Sequence, residues 1–417
     1  MGKKILFDHL HNYVQTDWFL KVARGLGFST VLLTDKNSVK KFTHADFQIE
    51  VDPHNNNETI EKVVKFHDEN PIDAIVSSDD AQNILRAKIA EKLNLDFISV
   101  ETAEIISNKF RQKKFMAAHK IPCAQSLPAS SFEELTTACE KIGFPVVIKP
   151  VSSWGSLGVV KIGEMTELNG YYNEINDKVL KTHGSRQDFL VEEYLSGAEV
   201  SVEGIVNQGD IHLIAITDKM VADEPFFVET GHTVPSRLPS DLLQEIRELT
   251  IKAIKPLQIK TAGIHVEIKL TASGLKINEI HARPGGGGIP SIVTMAYGLD
   301  FVAELIKSAA GEAPSFDAKW NKAAAIRFIV PASSGKLVEI KGEKEITRQK
   351  GVCFYQRLFN WAPGKIVEYP PKSSTSRIAM IQVMGKNPEE VYSRTESAVK
   401  SIEIITQNTD NNHRTEK

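Results

Sequence analysis

Two glutamates, an arginine and four consecutive glycines lie within HVEIKLTASGLKINEIHARPGGGG, residues 265–288. Ser273 and Gly274 supply a turn between two apolar runs, and antiparallel pairing about it sets Glu267 opposite Glu279. Facing carboxylates destabilise a sheet and raise one pKa unless a cation sits between them. Glu279 also shares a strand face with Leu275 and Ile277, so its burial needs compensation. Magnesium meets that need, because it takes carboxylate oxygens and completes its octahedron with water and phosphate oxygens. The plainer alternative, a solvated edge with the glutamates paired to Lys269 or Arg283, stays open for this pair alone. Arg283 and the glycines at 285–288 weigh against it. Glycines let successive N–H groups converge on an anion, and the arginine offers a two-pronged fork for phosphate or carboxylate oxygens.

Three further stretches belong with this one. SSWGSLGVV, at 152–160, follows the apolar run that ends in Lys149 and Pro150. Its small residues suit a loop that folds over polyphosphate, although G-x-x-x-x-G-K-[ST] is absent. Lys149 could set an ammonium on a phosphate, or could be a surface lysine. FLVEEYLSGAEVSVEG, at 189–204, ends an apolar strand in acidic residues and offers backbone groups to a base, with Glu192 and Glu199 as carboxylate candidates. FFVETGHTVPSRLP, at 226–239, places Glu229 and His232 in a candidate binding loop, with Lys219 upstream as a weaker phosphate contact.

These residues need elements to hold them. The first hundred residues alternate strands (5–7, 29–34 and 73–78) with amphipathic helices ending near 27 and 93, which implies βαβ units on a parallel sheet. HLHNYVQ follows the first strand where a dinucleotide fold needs G-x-G-x-x-G. Ser107 reads as the N-cap of a helix through His119. Residues 132–142 read as a helix closed by Gly143, and from there to about 206 strands dominate. NQGD at 207–210 marks a hairpin. Helices follow at 241–257 and 301–310, with the acidic hairpin between them, and then a Gly/Pro-punctuated third unit.

Composition narrows the function classes. A chain of 417 residues, 41% hydrophobic and 25% charged, has enough material for several compact units. A formal net charge of -3 gives no general attraction to nucleic acid or anionic lipid. The three cysteines, Cys123, Cys139 and Cys353, form no CxxC spacing, which suggests a reducing, cytoplasmic setting. Asp8 and His9 interrupt the first apolar run too early for a signal peptide, and no apolar stretch nears the roughly 20 residues of a membrane span.

In order, Lys109 in SNKFRQKK, Lys149 in VVIKP, the SSWGSLG loop, VEEYLSGAEVSVEG, and then Glu267, Glu279 and Arg283 resemble the ATP-grasp superfamily over residues 108–310. The resemblance implies an α/β ATP-grasp fold with an N-terminal parallel βαβ domain over 1–107, a nucleotide- and substrate-binding domain over 108–310, and a C-terminal α+β ligase domain over 311–407. Residues 408–417 read as a polar, disordered tail. By the same resemblance Lys109 and Lys149 bind the phosphates of ATP, Ser156 and Gly158 belong to the loop over them, Glu192, Tyr194 and Leu195 line the adenine hinge, and Glu199 holds the ribose. Glu267 and Glu279 would bridge two Mg2+ ions, for which Mn2+ can substitute. The usual E-x-N-x-R is here Glu279, His281, Arg283, so an imidazole replaces an amide and would reach the metal through water.

EIHARPGGGGIP, the ETGH loop and SSGKLVEIKGEKEI resemble the L-amino-acid ligases within that superfamily. This implies that Glu229 recognises an α-amino group, that His232 lies beside the reacting carboxylate, and that Arg283, Gly287 and Gly288 steady the transferred phosphoryl group. The expected activity is dipeptide formation through an acyl phosphate, with release of ADP and phosphate. Its partners would be small-molecule amino acids, with no nucleic acid or membrane, and a homodimer is among the states allowed. Two rivals stay open, namely an ATP-grasp ligase or carboxylase of another pathway such as purine biosynthesis, and a non-catalytic nucleotide-binding regulator.

Overall fold

The computed structural model describes residues 2–10, 15–35, 42–183, 188–317 and 319–408. Four parallel strands, β1 (Lys4–His9), β2 (Ser29–Thr34), β3 (Phe47–Glu50) and β4 (Ala74–Ile75), lie in the order β3-β2-β1-β4. Every residue of β1 is buried, as expected of a strand in a parallel sheet covered by helices. The strand read at 73–78 keeps only Ala74 and Ile75 in the ladder. Beyond them the chain leaves the sheet and carries Asp79 and Asp80 to the carboxyl end of the strands.

A second sheet, in the order β5-β8-β6-β7, joins β5 (Ser126–Ala129), β6 (Val146–Pro150), β7 (Val160–Ile162) and β8 (Phe189–Glu193) in antiparallel pairs. Helix Phe132–Ile142 covers it, started by the Ser131 side chain accepting from Glu134 N–H and stopped at Gly143, whose φ of 86° favours glycine. Two readings need correction here. Helix Met165–His183 occupies a stretch read as strand-rich, and its apolar spacing buries Leu168 and Ile175. Ser107 closes helix Val100–Ile106, whereas Asn108 caps helix Lys109–Ala118 by accepting from Arg111 N–H.

The central sheet has eight strands in the order β13-β12-β9-β10-β11-β14-β18-β16. They are β9 (Ala198–Asn207), β10 (Asp210–Val221), β11 (Glu229–Val234), β12 (Ala262–Thr271), β13 (Gly274–His281), β14 (Ala323–Ile329), β16 (Val352–Arg357) and β18 (Ala379–Gly385). The NQGD hairpin turns through Gln208 and Gly209, both at positive φ, as a tight turn of this kind demands. β15 (Gly335–Lys341), β17 (Ile366–Val367) and β19 (Glu403–Gln407) form a small separate sheet. Residues read as a third unit therefore extend the central sheet through β14, β18 and β16. Of the tail read as disordered, all but Asn408 lies outside the described residues.

Among the described residues no single helix is long and apolar enough to cross a membrane. The apolar pair Ile289–Tyr297 and Phe301–Ala309 bends by 102° and packs into the core.

One buried ion pair ties the N-terminal sheet to its helices. Arg86, 2% exposed, lies 2.5 Å from Asp8 on β1 and 3.0 Å from Asp79. Truncating one partner strands the other charge away from water, whereas replacing both with apolar groups does not. Arg86→Ala is expected to cost about 3–5 kcal/mol. Asp8→Leu with Arg86→Met should recover most of that loss, as read from urea-denaturation midpoints.

Candidate active site

The site begins with an irregularity in the β12–β13 hairpin. From the turn, Thr271 pairs with Gly274, Leu270 with Leu275, Lys269 with Lys276 and Ile268 with Ile277. Continued unbroken, that register sets Asn278 opposite Glu267. A bulge between Glu267 and Ile268 admits one extra residue on β13, and Glu279 becomes the partner of Glu267. The expected pairing is therefore present, but the expected face is not. Ile277 and Ile280 are fully buried in the core, while Asn278 and Glu279 both line a cavity of about 970 Å³. The bulge turns Glu279 away from the apolar face of its strand.

Lysines from three elements hold these carboxylates. Lys149, at the end of β6, lies 3.2 Å from Glu279 and 2.9 Å from Glu192. Lys109, in the first turn of its helix, lies 3.5 Å from Glu279 and donates to the Ser153 carbonyl at 2.7 Å. Lys219 on β10 stands beside Glu199 of β9 and His232 of β11. Its ammonium is 2.5 Å from Glu199, 2.7 Å from Glu267 and 2.8 Å from Glu229. Burial opposes ionisation of Glu279, but Lys109 and Lys149 outweigh it and hold its pKa at about 2. Glu267 is likewise held well below the usual range, burial being overridden by Lys219 and His265.

His281, Glu267 and Glu279 each bring one ligand atom within 4.8 Å of the others. Two ionised oxygen donors and an imidazole suit a divalent cation. Asp80, from the N-terminal sheet, accepts from Arg283 Nε at 2.7 Å and lies 2.9 Å from His281 Nδ1. If that nitrogen donates, Nε2 is left as the nitrogen facing Glu279, 3.5 Å away. Arg283 and His281 hold the Asp80 carboxyl far below its ordinary value despite burial.

The remaining expected residues divide by position. Lys109, Lys149, Ser156, Glu192, Tyr194, Leu195, Glu199, Glu229, Arg283 and Gly287 line the same cavity, together with Glu267 and Glu279. Ser156 Oγ donates to the Phe227 carbonyl at 2.7 Å, which fixes the glycine loop on one side. Glu192 is 4% exposed and sits between Lys149 and Lys113, so its side chain serves the lysines. Gly158, Gly288 and His232 do not line the cavity. A Cβ at Gly158 would lie 2.9 Å from Pro150 Cγ, and at Gly288 2.7 Å from Ile326 Cδ1. Both glycines therefore permit close packing behind the wall. His232 is fully buried behind Gly287, where a Cβ would lie 2.8 Å from its Nε2. Burial, with Lys219 and Arg377 nearby, holds His232 at about 4 against the pull of Glu229, so it is neutral at pH 7.

Five residues of the constellation escaped sequence reading: Asp80, Lys113, His265, Asn278 and Arg377. His265 bridges Glu203 at 3.0 Å and Glu267 at 3.4 Å, and Glu203 raises its pKa to about 9 despite burial. Asn278 donates to Glu267 at 3.1 Å. Alternation along β12 could have flagged His265, since it shares a face with Glu267. Lys113 sits one helical turn after Lys109 within SNKFRQKK and could have been flagged by that spacing, whereas Asp80 and Arg377 come from distant segments and leave no local signal.

Comparison with known proteins matches residues 142–291 to an ATP-grasp domain, 20–96 to an ATP-grasp N-terminal domain and 327–407 to an L-amino acid ligase C-terminal domain. An alanine–anticapsin ligase of Bacillus subtilis is 26% identical over 303 residues, 67% of this chain and 64% of that protein, so the match spans just under two thirds of that relative. An L-arginine-specific L-amino acid ligase of Bacillus subtilis is 23% identical, over 77% of each chain. The crystal structure of an L-amino acid ligase from Bacillus licheniformis superposes with a TM-score of 0.82 at 20% identity, covering 98% of this chain and 99% of that one. That likeness concerns the fold. With an ATP-grasp domain at its centre, the matching N-terminal domain before it and the bulged acidic hairpin in its cavity, the chain belongs to the ATP-grasp superfamily.

Proposed function

We propose that this protein is an ATP-dependent ligase that activates the carboxylate of one L-amino acid as an acyl phosphate and joins it to the amine of another. The observation that carries the reading is the pairing of Glu267 with Glu279 in a cavity that also gathers Lys109, Lys149, Lys219 and Arg283. Such a site binds a polyphosphate and a divalent cation together. The C-terminal match to L-amino acid ligases, and the names of the relatives, favour amino acids as the two substrates.

Within this reading Lys109 and Lys149 bear on the phosphates of ATP, and the 152–160 loop covers them. Tyr194 and Leu195 border the base, and Glu199 meets the ribose. Glu267 and Glu279, with His281 beside them, would hold Mg2+, which supplies positive charge to the phosphoryl oxygens when bound. Arg283, held by Asp80, steadies the phosphoryl group as the substrate carboxylate attacks its phosphorus and ADP leaves. Glu229 takes the α-ammonium of that first amino acid. The second amino acid's nitrogen then attacks the acyl carbon and phosphate departs, which requires water to be excluded. Loop closure provides that exclusion. His232, neutral and behind Gly287, keeps that wall free of added positive charge.

Two measurements test the reading. Mixing the enzyme with MgATP and a panel of amino-acid pairs should release phosphate and yield a dipeptide mass. Release only with other acids would move the assignment to a different ligase, and no release with any acid would end it. Glu279→Gln keeps the shape and removes the charge, so kcat should fall by ~10²–10³ with the circular-dichroism spectrum unchanged. A variant that turns over at the parent rate contradicts the proposal.

A further inference from the structure

Arg377 lines the cavity beside Glu229 and has no part in the roles proposed above for ATP and the first amino acid. It stands just before β18, is 7% exposed, and lines the cavity. Its Cζ lies 3.9 Å from the ring centroid of Phe328, a cation–π contact that helps hold the group in place. Nε donates to the Glu229 carbonyl at 3.0 Å and Nη2 to the Glu229 carboxylate at 3.2 Å. Those bonds occupy one edge of the fork. Nη1 makes no hydrogen bond among the described residues, so the terminal edge, which a carboxylate grips with two parallel bonds, remains available.

Position decides which carboxylate this edge can take. Lys219 touches both Glu267 and Glu229, so Glu229 lies directly beside the paired glutamates, and Arg377 lies on the other oxygen of Glu229. A carboxylate bound at Arg377 is thus displaced by one side chain from Glu267 and Glu279, where phosphoryl transfer is proposed. The carboxylate to be activated must sit at the transfer point. A carboxylate that stays free throughout the reaction must sit near it but apart. In an α-amino acid that attacks through nitrogen, the free carboxylate is two bonds from the attacking atom. Burial lowers the pKa of Arg377, and Glu229 restores part of it. A second anion would complete that compensation.

We infer that Arg377 binds the unreacted carboxylate of the acceptor, so that the acceptor is an α-amino acid in preference to a simple amine. This inference rests on the ligase reading of the preceding subsection. No bond to Arg377 forms or breaks covalently, and its role is recognition. Electrostatic pairing there orients the acceptor nitrogen toward the acyl carbon, which raises kcat/KM by fixing the approach. Glu229 and Arg377 together then present one negative and one positive group to two neighbouring zwitterions, the donor meeting the carboxylate and the acceptor the guanidinium.

The test compares wild type, Arg377→Met and Arg377→Lys, using as acceptors an amino acid and the same amino acid as its C-terminal amide. Calorimetric titration in the presence of Mg2+ and a non-hydrolysable ATP analogue reads binding, and phosphate release reads turnover. Wild type should prefer the acid over the amide by about 10- to 100-fold. Arg377→Met should erase that preference by weakening the acid alone, and Arg377→Lys should keep part of it. Affinity for the ATP analogue should be unchanged in both variants. Equal losses for acid and amide would show that Arg377 only positions Glu229, and a parallel loss of nucleotide affinity would show that it serves a phosphate; either result overturns the inference. Wild type that binds both acceptors equally also overturns it. Turnover with amino acids accompanied by any of these outcomes leaves the ligase reading standing, whereas the absence of amino-acid turnover with intact acid-selective binding removes that reading alone.

Discussion

The structure depends on keeping several largely buried carboxylates ionised within one cavity. Lys219 is the centre of that arrangement, because Glu199, Glu229 and Glu267 all lie within 2.8 Å of its ammonium. Its side chain is 2% exposed, so its charge is compensated by these carboxylates and not by solvent. Lys269 at 3.0 Å from Glu199, Arg377 at 3.2 Å from Glu229 and His265 at 3.4 Å from Glu267 bring further positive charge to these three carboxylates. Lys109 and Lys149 do the same for Glu279. The facing carboxylates of the hairpin are thus held ionised by their neighbours, which is the state the proposed function requires of them to bind a metal–polyphosphate complex.

Each sheet contributes a different charge to this balance. The parallel sheet delivers Asp80 at the carboxyl end of its strands, the common place for binding groups in such sheets, and Asp80 locks both Arg283 and His281. The β5–β8 sheet delivers Lys149 and Glu192, and carries the glycine loop. That loop is tied from two directions, by Ser156 to the Phe227 carbonyl and by Ser374 N–H donating to the Gly155 carbonyl at 2.9 Å. The segment that ends in Arg377 thus touches the loop over the proposed nucleotide and the side of Glu229 within four residues. Loop position and the far end of the cavity are mechanically joined through one short stretch of chain.

Much of this was legible in sequence, for reasons that differ by residue. Helix Phe132–Ile142 announced itself through a serine cap and a closing glycine, both local signals. The Glu267–Glu279 pairing was legible as an outcome, since the turn and the acidic residues fall within one hairpin. The bulge that produces it was not, because alternation alone predicts an unbroken register, and the extra residue is revealed only by which side chains reach the core. Helix Met165–His183 was obscured by Gly170, by the adjacent Tyr171 and Tyr172, and by three asparagines, all of which weaken its propensity. The covering packing of Leu168 and Ile175 against the β5–β8 sheet overrides that weakness.

Legibility also falls from one end of the cavity to the other. The groups proposed to face the phosphates, Lys109, Lys149, the 152–160 loop and the acidic hairpin, are each carried by a short motif that can be read by itself. Groups farther along are gathered from separate elements: Lys219 from β10, Glu229 from β11, Arg377 from the approach to β18. Their juxtaposition is a product of the strand order β10-β11-β14-β18, in which β11 brings Glu229 between its neighbours and β14 brings Phe328 beneath Arg377. A motif reading recovers chemistry shared by any protein that handles ATP this way. Arg377, to which the proposal gives acceptor recognition, is brought to Glu229 only by the completed sheet, and no contiguous run of residues announces it.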